Sequence, residues 1–429
     1  MPKQGPLLVV SNHPNTFMDP VVTASLLQQQ VYFIAKSTVF GSGFQNWVLR
    51  QMHLIPIQRR EDNPQQEVNN AEAFAASFKA LQEDKTLLIF PEGNSFNQRR
   101  LRKIKTGAAR IALGAEAEHN FSLGIKILPV GLNYSAPTRF RSDVFVNVGE
   151  PIEVADYAAA YQQDGSSAVQ ALTETMRQRL ESLIIHTPTD EEDELARQIE
   201  AVYKEELSAT IPATAPAYAH DFLLTREIIK SINYFSRVSP ERVSSLKQKI
   251  SAYQLELTRL RLHDAVVGKG SPAVFWQSII GALLLALGLP VFLFGLLHNY
   301  VPYLIPSKVA RAATDEEEWY APVMLTVGMF AFPIFYALET WLVFEWLGLT
   351  GSSILAYLVA LPFSGFFALG YWGMLQKTQA HWVLLRLFVK RKDTLAKLRL
   401  QRACIIQELE QAKQEYLQHA KHLHVSREQ

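Results

Sequence analysis

Residues 6–20 read PLLVVSNHPNTFMDP, an apolar run that closes on a polar cluster containing His13 and Asp19. Four apolar residues bounded by Pro6 and polar groups predict a short buried strand. A strand that leads straight into His13 and Asp19 places both at its end, where the loops of an open α/β sheet gather their polar groups. A histidine that titrates near neutrality is suited to take a proton from a hydroxyl. A carboxylate on its second nitrogen fixes the tautomer and stabilises the imidazolium that forms. The six positions from His13 to Asp19 amount to about 600° of regular helix, which leaves the two side chains about 120° apart. They cannot share a helical face, but Pro14 and Asn15 favour an irregular turn that could bring them together. On this segment alone, a capping aspartate and a structural histidine are the commoner reading.

Working outward, PLLVVS, VYFIA, HLIPI, TLLIF, IKILPVGLNY and VFVNVG are short β-rich runs, with helical patterns such as AEAFAASFKALQ and GAARIALGAEA between some of them. The alternation predicts an α/β domain built on a sheet. Polar clusters follow two further strands. In LIPIQRR the run ends ahead of Arg59 and Arg60, and a guanidinium fork suits phosphate oxygens, although an isolated loop arginine is more often simply solvated. In LLIFPEGNSFNQRRLRKIKTGAARIAL a strand closes on Phe90, Pro91, Glu92 and Gly93, followed by Arg99, Arg100, Arg102, Lys103 and Lys105 and then a helix. Several cations beside one strand end would stabilise a phosphate. Glu92 in the turn also fits an anchor for neighbouring backbone N–H groups. ILPVGLNY, taken alone, is only a core strand.

The chain has 429 residues, 48% of them hydrophobic and 11% aromatic, which is richer than a soluble enzyme needs. Its formal net charge of +1 gives no global basic field, so nucleic acid is not an expected partner. The single cysteine, Cys404, excludes an intrachain disulfide framework. The first residues lack the charged and apolar regions of a cleavable signal peptide, so any membrane signal is expected inside the chain.

Such signals lie at 273–297, 322–347 and 354–375, each long enough at about 1.5 Å per residue to cross a hydrocarbon core of about 30 Å. Lys and Arg flank this region on both sides: Lys247, Lys249, Arg259, Arg261 and Lys269 before it, Lys377, Arg386, Lys390, Arg391, Lys392, Lys397 and Arg399 after it. Since cytoplasmic ends carry the cationic excess, an even number of crossings is expected. Gly288, Leu289 and Pro290, with Pro302 beyond, suggest that residues 273–305 enter and turn back, leaving 322–375 as a hairpin. Glu339 would then lie within the apolar layer and face protein, with Tyr300, Tyr303 and His298 as candidate partners. Upstream, SPERVSSLKQKISAYQLELTRLRL predicts an amphipathic helix capped by Ser239, with Pro240 in its first turn and its stripe packed on neighbours. The tail from Trp382 to Leu423 is also helical by pattern, and its Lys390, Arg391, Lys392 cluster could touch anionic headgroups.

In this order the four clusters resemble the motif set of the glycerolipid acyltransferase superfamily. Asn12, His13, Pro14 and Asn15 ahead of Phe17, Met18, Asp19 and Pro20, with Phe90 to Ser95 and Lys105, Thr106 and Gly107, are most similar to its fungal-type glycerol 3-phosphate/dihydroxyacetone phosphate branch. The superfamily commonly separates its His and Asp by four residues; here five intervene, a spacing this branch shares. The resemblance covers about residues 7–186. It implies that His13 is the general base and Asp19 its partner, that Arg59 binds the acceptor phosphate, and that Phe90, Pro91, Glu92 and Gly93 shape the acceptor site. Asn94 and Ser95 stand where many relatives have Thr and Arg, so Arg99, Arg102 or Lys105 would have to supply that phosphate contact. Asn15, Ser95, Arg102 and Lys105 are further candidate phosphate or donor contacts. Many relatives also have a helix ahead of the first strand.

The organisation expected is a mixed-sheet α/β acyltransferase domain over 1–186, a helical region over 187–270, a membrane region over 271–376 with two or three transmembrane segments, and a C-terminal amphipathic helix over 377–429. The resemblance implies an integral membrane enzyme with its catalytic domain facing the cytoplasm. It would move an acyl group from acyl-CoA or acyl carrier protein to glycerol 3-phosphate or dihydroxyacetone phosphate, with lysophosphatidate as the alternative acceptor and no metal or cofactor required. Competing classes are a transporter, suggested by Glu339, and a non-catalytic membrane scaffold.

Overall fold

The computed structural model describes residues 5–62, 68–208, 219–262, 264–268, 271–348, 351–390 and 392–425. Lys269, Arg391 of the basic cluster, and Leu349 and Thr350 of the loop after the second apolar stretch lie outside the described residues. The chain forms two compact units: residues 1–186 with 313–322, and residues 187–312 with 323–429.

The first unit is a seven-stranded mixed sheet. Its elements are β1 (Leu7–Ser11), α1 (Met18–Ser25), β2 (Val31–Lys36), α2 (Gly43–Gln51), β3 (Leu54–Ile57), α3 (Ala71–Gln82), β4 (Thr86–Ile89), α4 (Gly107–Glu118), β5 (Lys126–Tyr134), β6 (Val144–Val148), β7 (Ile152–Glu153), α5 (Ala158–Gln163) and α6 (Gly165–Leu183). The strand order is β3-β2-β4-β1-β5-β6, with β7 pairing β5. Strands β3, β2, β4, β1 and β5 run parallel, and β6 and β7 pair β5 antiparallel. All six strand runs expected from sequence are present. β1 is central and buried along its length, so its side chains divide by the two-residue period of a strand. Leu8 and Val10 join the core under α3, α4 and α6. Leu7 and Val9 join the cluster that packs Val22, Leu27, Phe33 and Tyr134 on the other face. Because the five parallel strands share one direction, the chain following β1, β3, β4 and β5 emerges at the same, C-terminal end of the strands.

The second unit is helical: α7 (Asp190–Ser208), α8 (His220–Val238), α9 (Pro240–Leu260), α10 (Asp264–Val267), α11 (Ser271–Ala313), α12 (Tyr320–Leu347), α13 (Gly351–Lys390) and α14 (Lys392–Val425), with the first residues of α12 counted in the first unit. The stripe of α9, Leu246, Ile250, Tyr253 and Leu257, is buried among its neighbours, with Pro240 at the first helical position as expected. Arg402 of α14 binds both oxygens of Asp264 at 3.0 Å and Glu206 of α7 at 2.8 Å.

α11, α12 and α13 are long and apolar enough to cross a membrane. The expected turn at Gly288, Leu289 and Pro290 is not formed. α11 runs unbroken for 43 residues through Pro290, Pro302 and Pro306. A proline removes one intrahelical donor and can be accommodated when neighbours resupply the freed backbone. Tyr371 of α13 donates to the Leu285 carbonyl at 2.7 Å, one residue before Ala286, whose carbonyl loses its intrahelical donor at Pro290.

Candidate active site

The segment between β1 and α1 turns irregularly, with Thr16 at φ 21°, so His13 and Asp19 meet although six helical positions would separate them. His13 Nδ1 lies 2.8 Å from Asp19 Oδ2. The same oxygen accepts from the Asn15 backbone N–H at 2.7 Å, and Oδ1 accepts from the Tyr134 hydroxyl at 2.8 Å. Asp19 is fully buried. Burial raises its pKa above the usual carboxylate value, against the pull of His13, Asn15 and Tyr134. An ionised Asp19 only accepts hydrogen bonds, so the proton between the two side chains sits on Nδ1 and the Nε2 lone pair is left free. The imidazole stacks on Phe90, with ring centroids 4.1 Å apart.

Glu92 binds this loop to the next. Its Oε1 accepts from the His13 backbone N–H and its Oε2 from that of Arg102, both at 2.9 Å. Glu92 is buried, and desolvation raises its pKa, opposed by these two hydrogen bonds. The backbone adds Phe96 N–H to His13 O at 2.9 Å and Lys105 N–H to Pro91 O at 2.7 Å. The turn itself uses Gly93 at φ +80°, where a Cβ would fall 2.8 Å from Lys105 Nζ.

Arg59, beyond β3, reaches this turn, donating to the Gly93 carbonyl and to Asn94 Oδ1 at 2.6 Å. Its fork is held by Asp62 at 2.9 and 2.7 Å, and that hydrogen bonding lowers the Asp62 pKa. Lys105 pairs with Glu61 at 2.9 Å. Arginine and lysine thus converge on Gly93 with carboxylates in place, an arrangement a phosphate could enter by exchange.

The structure therefore brings His13, Asp19, Phe90, Pro91 and Glu92 into one cluster, with Arg59, Gly93 and Lys105 adjoining it through the turn. Asn15 is buried and acts through its backbone and through its amide, which donates to Pro137 O at 3.2 Å. Ser95 is half-buried in the same loop. Arg102 stands apart: its guanidinium is exposed, covers the Phe96 ring at 3.3 Å and bonds Gln98. Two participants escaped the sequence reading. Tyr134 was hidden in what looked like a core strand, though its place at the end of a strand parallel to β1 was a usable signal. The segment ahead of α12 gave none: Thr16 Oγ1 donates to the Glu318 carbonyl at 2.7 Å and Asn97 to Glu317 at 2.9 Å.

A family model described as "Acyltransferase" matches residues 1–133. The chain is 29% identical over 223 residues to "Glycerol-3-phosphate O-acyltransferase 1" of Saccharomyces cerevisiae, covering 50% of this chain and 28% of that protein. It is 28% identical over 149 residues to "1-acyl-sn-glycerol-3-phosphate acyltransferase" of Borreliella burgdorferi, covering 35% of this chain and 54% of that one. A crystal structure of the 1-acyl-sn-glycerophosphate acyltransferase of Thermotoga maritima aligns with a TM-score of 0.28 at 18% identity, covering 41% of this chain and 67% of that one. The chain thus spans little more than a quarter of the length of the yeast relative.

Proposed function

We propose, from the premise that the chain belongs to the glycerolipid acyltransferase superfamily, that it transfers a fatty acyl group from an acyl thioester to the hydroxyl of glycerol 3-phosphate. The observation that carries this reading is the His13–Asp19 pair at the ends of the parallel strands, joined through the turn at Glu92 and Gly93 to Arg59 and Lys105. His13 Nε2 takes the hydroxyl proton as the acceptor oxygen attacks the thioester carbonyl carbon. The carbon–sulfur bond then breaks, and the proton passes from His13 to the departing thiolate. No acyl-enzyme intermediate is needed. Arg59 and Lys105 hold the acceptor phosphate after exchanging their carboxylate partners. Lysophosphatidate is the second acceptor, favoured by the name of the bacterial relative. Purified protein supplied with labelled acyl-CoA or acyl-ACP and each acceptor in turn tests the reading. Transfer to glycerol 3-phosphate is the expected result; transfer to lysophosphatidate alone reassigns the acceptor, and no transfer to either overturns the function.

In this reading the protein is bound to a membrane, with its catalytic unit on the cytoplasmic side. Support comes from the second unit, where α9 ahead of the apolar helices and α14 after them are joined by Lys249–Glu408 at 2.6 Å and Lys397–Glu256 at 2.7 Å. Helices paired in this way lie on one side of a bilayer, so the crossings are even in number and one of α11, α12 and α13 lies along the membrane. Cysteine labelling at Ser352 and Lys392 in a Cys404→Ser background, with an impermeant reagent on intact cells, checks this. Labelling at Ser352 alone is expected; labelling at Lys392 overturns the topology, and labelling at neither overturns the crossing.

A further inference from the structure

β5 is longer than the strand beside it. β1 pairs with β5 only as far as Ser11 opposite Val130, whereas β5 continues to Tyr134, supported by β6 with Tyr134 opposite Val144. Where β1 stops, the Asn12 side chain takes over its hydrogen bonds, donating to Leu132 O at 2.9 Å and accepting from Leu132 N–H at 2.7 Å. The overhang carries the Tyr134 hydroxyl past the end of β1, to Asp19 Oδ1 at 2.8 Å.

Resting on the function proposed above, we infer that Tyr134 is a positioning residue for the general base, holding Asp19 Oδ1 so that Oδ2 is presented to His13 Nδ1. A buried carboxylate needs donors on both oxygens, because an unsatisfied buried acceptor is costly and a proton can occupy it. Asn15 and His13 serve Oδ2, and Tyr134 serves Oδ1. The titratable groups around Asp19 are His13 and Tyr134, in direct contact, and Glu92, whose own pKa the Asp19 charge helps to raise. Burial and the Asp19 charge push the Tyr134 pKa far above that of a free phenol, so the hydroxyl stays a donor through any assay range. Without it, Asp19 holds a proton more tightly, alone or shared with His13. The pair then reaches its base-competent state only at higher pH.

Tyr134→Phe tests this. The expected result is a fall in kcat of about tenfold or more, from loss of a hydrogen bond to a charged group, with both KM values little changed and the acid limb of kcat/KM moved to higher pH. Asp19→Asn supplies the second arm. An asparagine does not titrate, so adding Tyr134→Phe to it should leave the acid limb of kcat/KM where Asp19→Asn alone puts it. An unmoved pH profile, or an equal shift in both backgrounds, overturns the inference. Proton NMR titration of the His13 ring, assigned with His13→Gln, reads the pair without turnover, and its midpoint should rise in Tyr134→Phe. A wild-type protein that transfers no acyl group would break the proposed function while this titration still decides the role of Tyr134.

Discussion

The first unit and the apolar helices of the second are both rich in Leu, Val, Ile and Phe, and they place them in opposite ways. In the sheet, Leu8, Val9, Val10, Leu87, Leu88, Ile127 and Leu128 are all but inaccessible. On α11, α12 and α13, Leu287 is 71% exposed, Trp346 84% and Phe363 70%. A water-facing protein does not leave such contiguous apolar surface open. Small and polar residues make many of the close contacts there, beside the stacked Phe292 and Tyr371: a Cβ on Gly281 would meet Thr378 Oγ1 at 2.6 Å, and one on Gly295 would run into the Ser364 carbonyl. Asn299 donates to the Gly295 and Leu361 carbonyls and accepts from Tyr336 at 2.6 Å. Apolar burial holds one region; in the other, close backbone approach and a polar hub join a few buried aromatics, as expected where the surroundings are as apolar as the side chains.

The most severe test of this contrast removes the base. His13→Ala should cost about 10² to 10⁴ in acyl transfer rate while leaving the melting transition of the sheet unit in place, because a partly exposed ring is not what holds that core. Near-normal transfer by the variant would remove His13 from the mechanism.

Asp19→Asn separates stability from activity within the same buried core. A carboxylate whose folded pKa is raised binds more protons folded than unfolded between its ordinary and raised values, so its contribution to stability falls as pH rises through that window. Neutralising Asp19 should therefore leave stability at neutral pH equal or higher, and the advantage over wild type should shrink on acidification. Transfer should fall on the order of a hundredfold or more. Thermal melts across pH with parallel rate assays check both; a less stable variant at neutral pH would contradict the sign.

Arg59→Ala should raise the acceptor KM by about 10- to 100-fold, the loss of a charge-assisted contact of roughly 1.5 to 3 kcal/mol, with the donor KM little changed. A shift confined to the donor would move Arg59 to the thioester site. Asp62→Asn should act in the opposite direction and more weakly, lowering the acceptor KM about two- to fivefold by freeing the guanidinium fork.

The smallest effect is expected in the apolar region. Asn299→Ala removes the hub between α11, α12 and α13 and should cost about 0.6 to 2 kcal/mol, seen as a lower melting temperature in tryptophan fluorescence of the detergent-solubilised protein. Transfer to a water-soluble acceptor from a short-chain thioester should persist. A loss as large as that of a core truncation would mean that burial, not polar contact, joins these helices.

Local pattern determined much of this molecule. Short β-rich runs marked β1 to β6, most plainly at β1 and β4, which are buried along their length, because a strand buried on both faces is apolar nearly throughout. The length and composition of three stretches marked the helices fit for a membrane, because a bilayer sets that length. His13, Asp19, Arg59 and Glu92 were legible as polar groups at strand ends. What sequence spacing could not supply was any relation decided by parallel pairing and by distant chain. It read a break into α11 at Pro290, where the helix runs on; local pattern does not report that α13 packs there, with Tyr371 bonded to the Leu285 carbonyl. It left Tyr134 inside a core strand, since its role depends on β5 running past the end of β1. It named His298 with Tyr300 and Tyr303 as candidate partners of Glu339, and the fold selects His298, at 3.3 Å. Periodicity reports which face of an element is buried; only the packed fold decides which side chains from separate elements share that burial, and a hydrogen bond between them exists only at that distance.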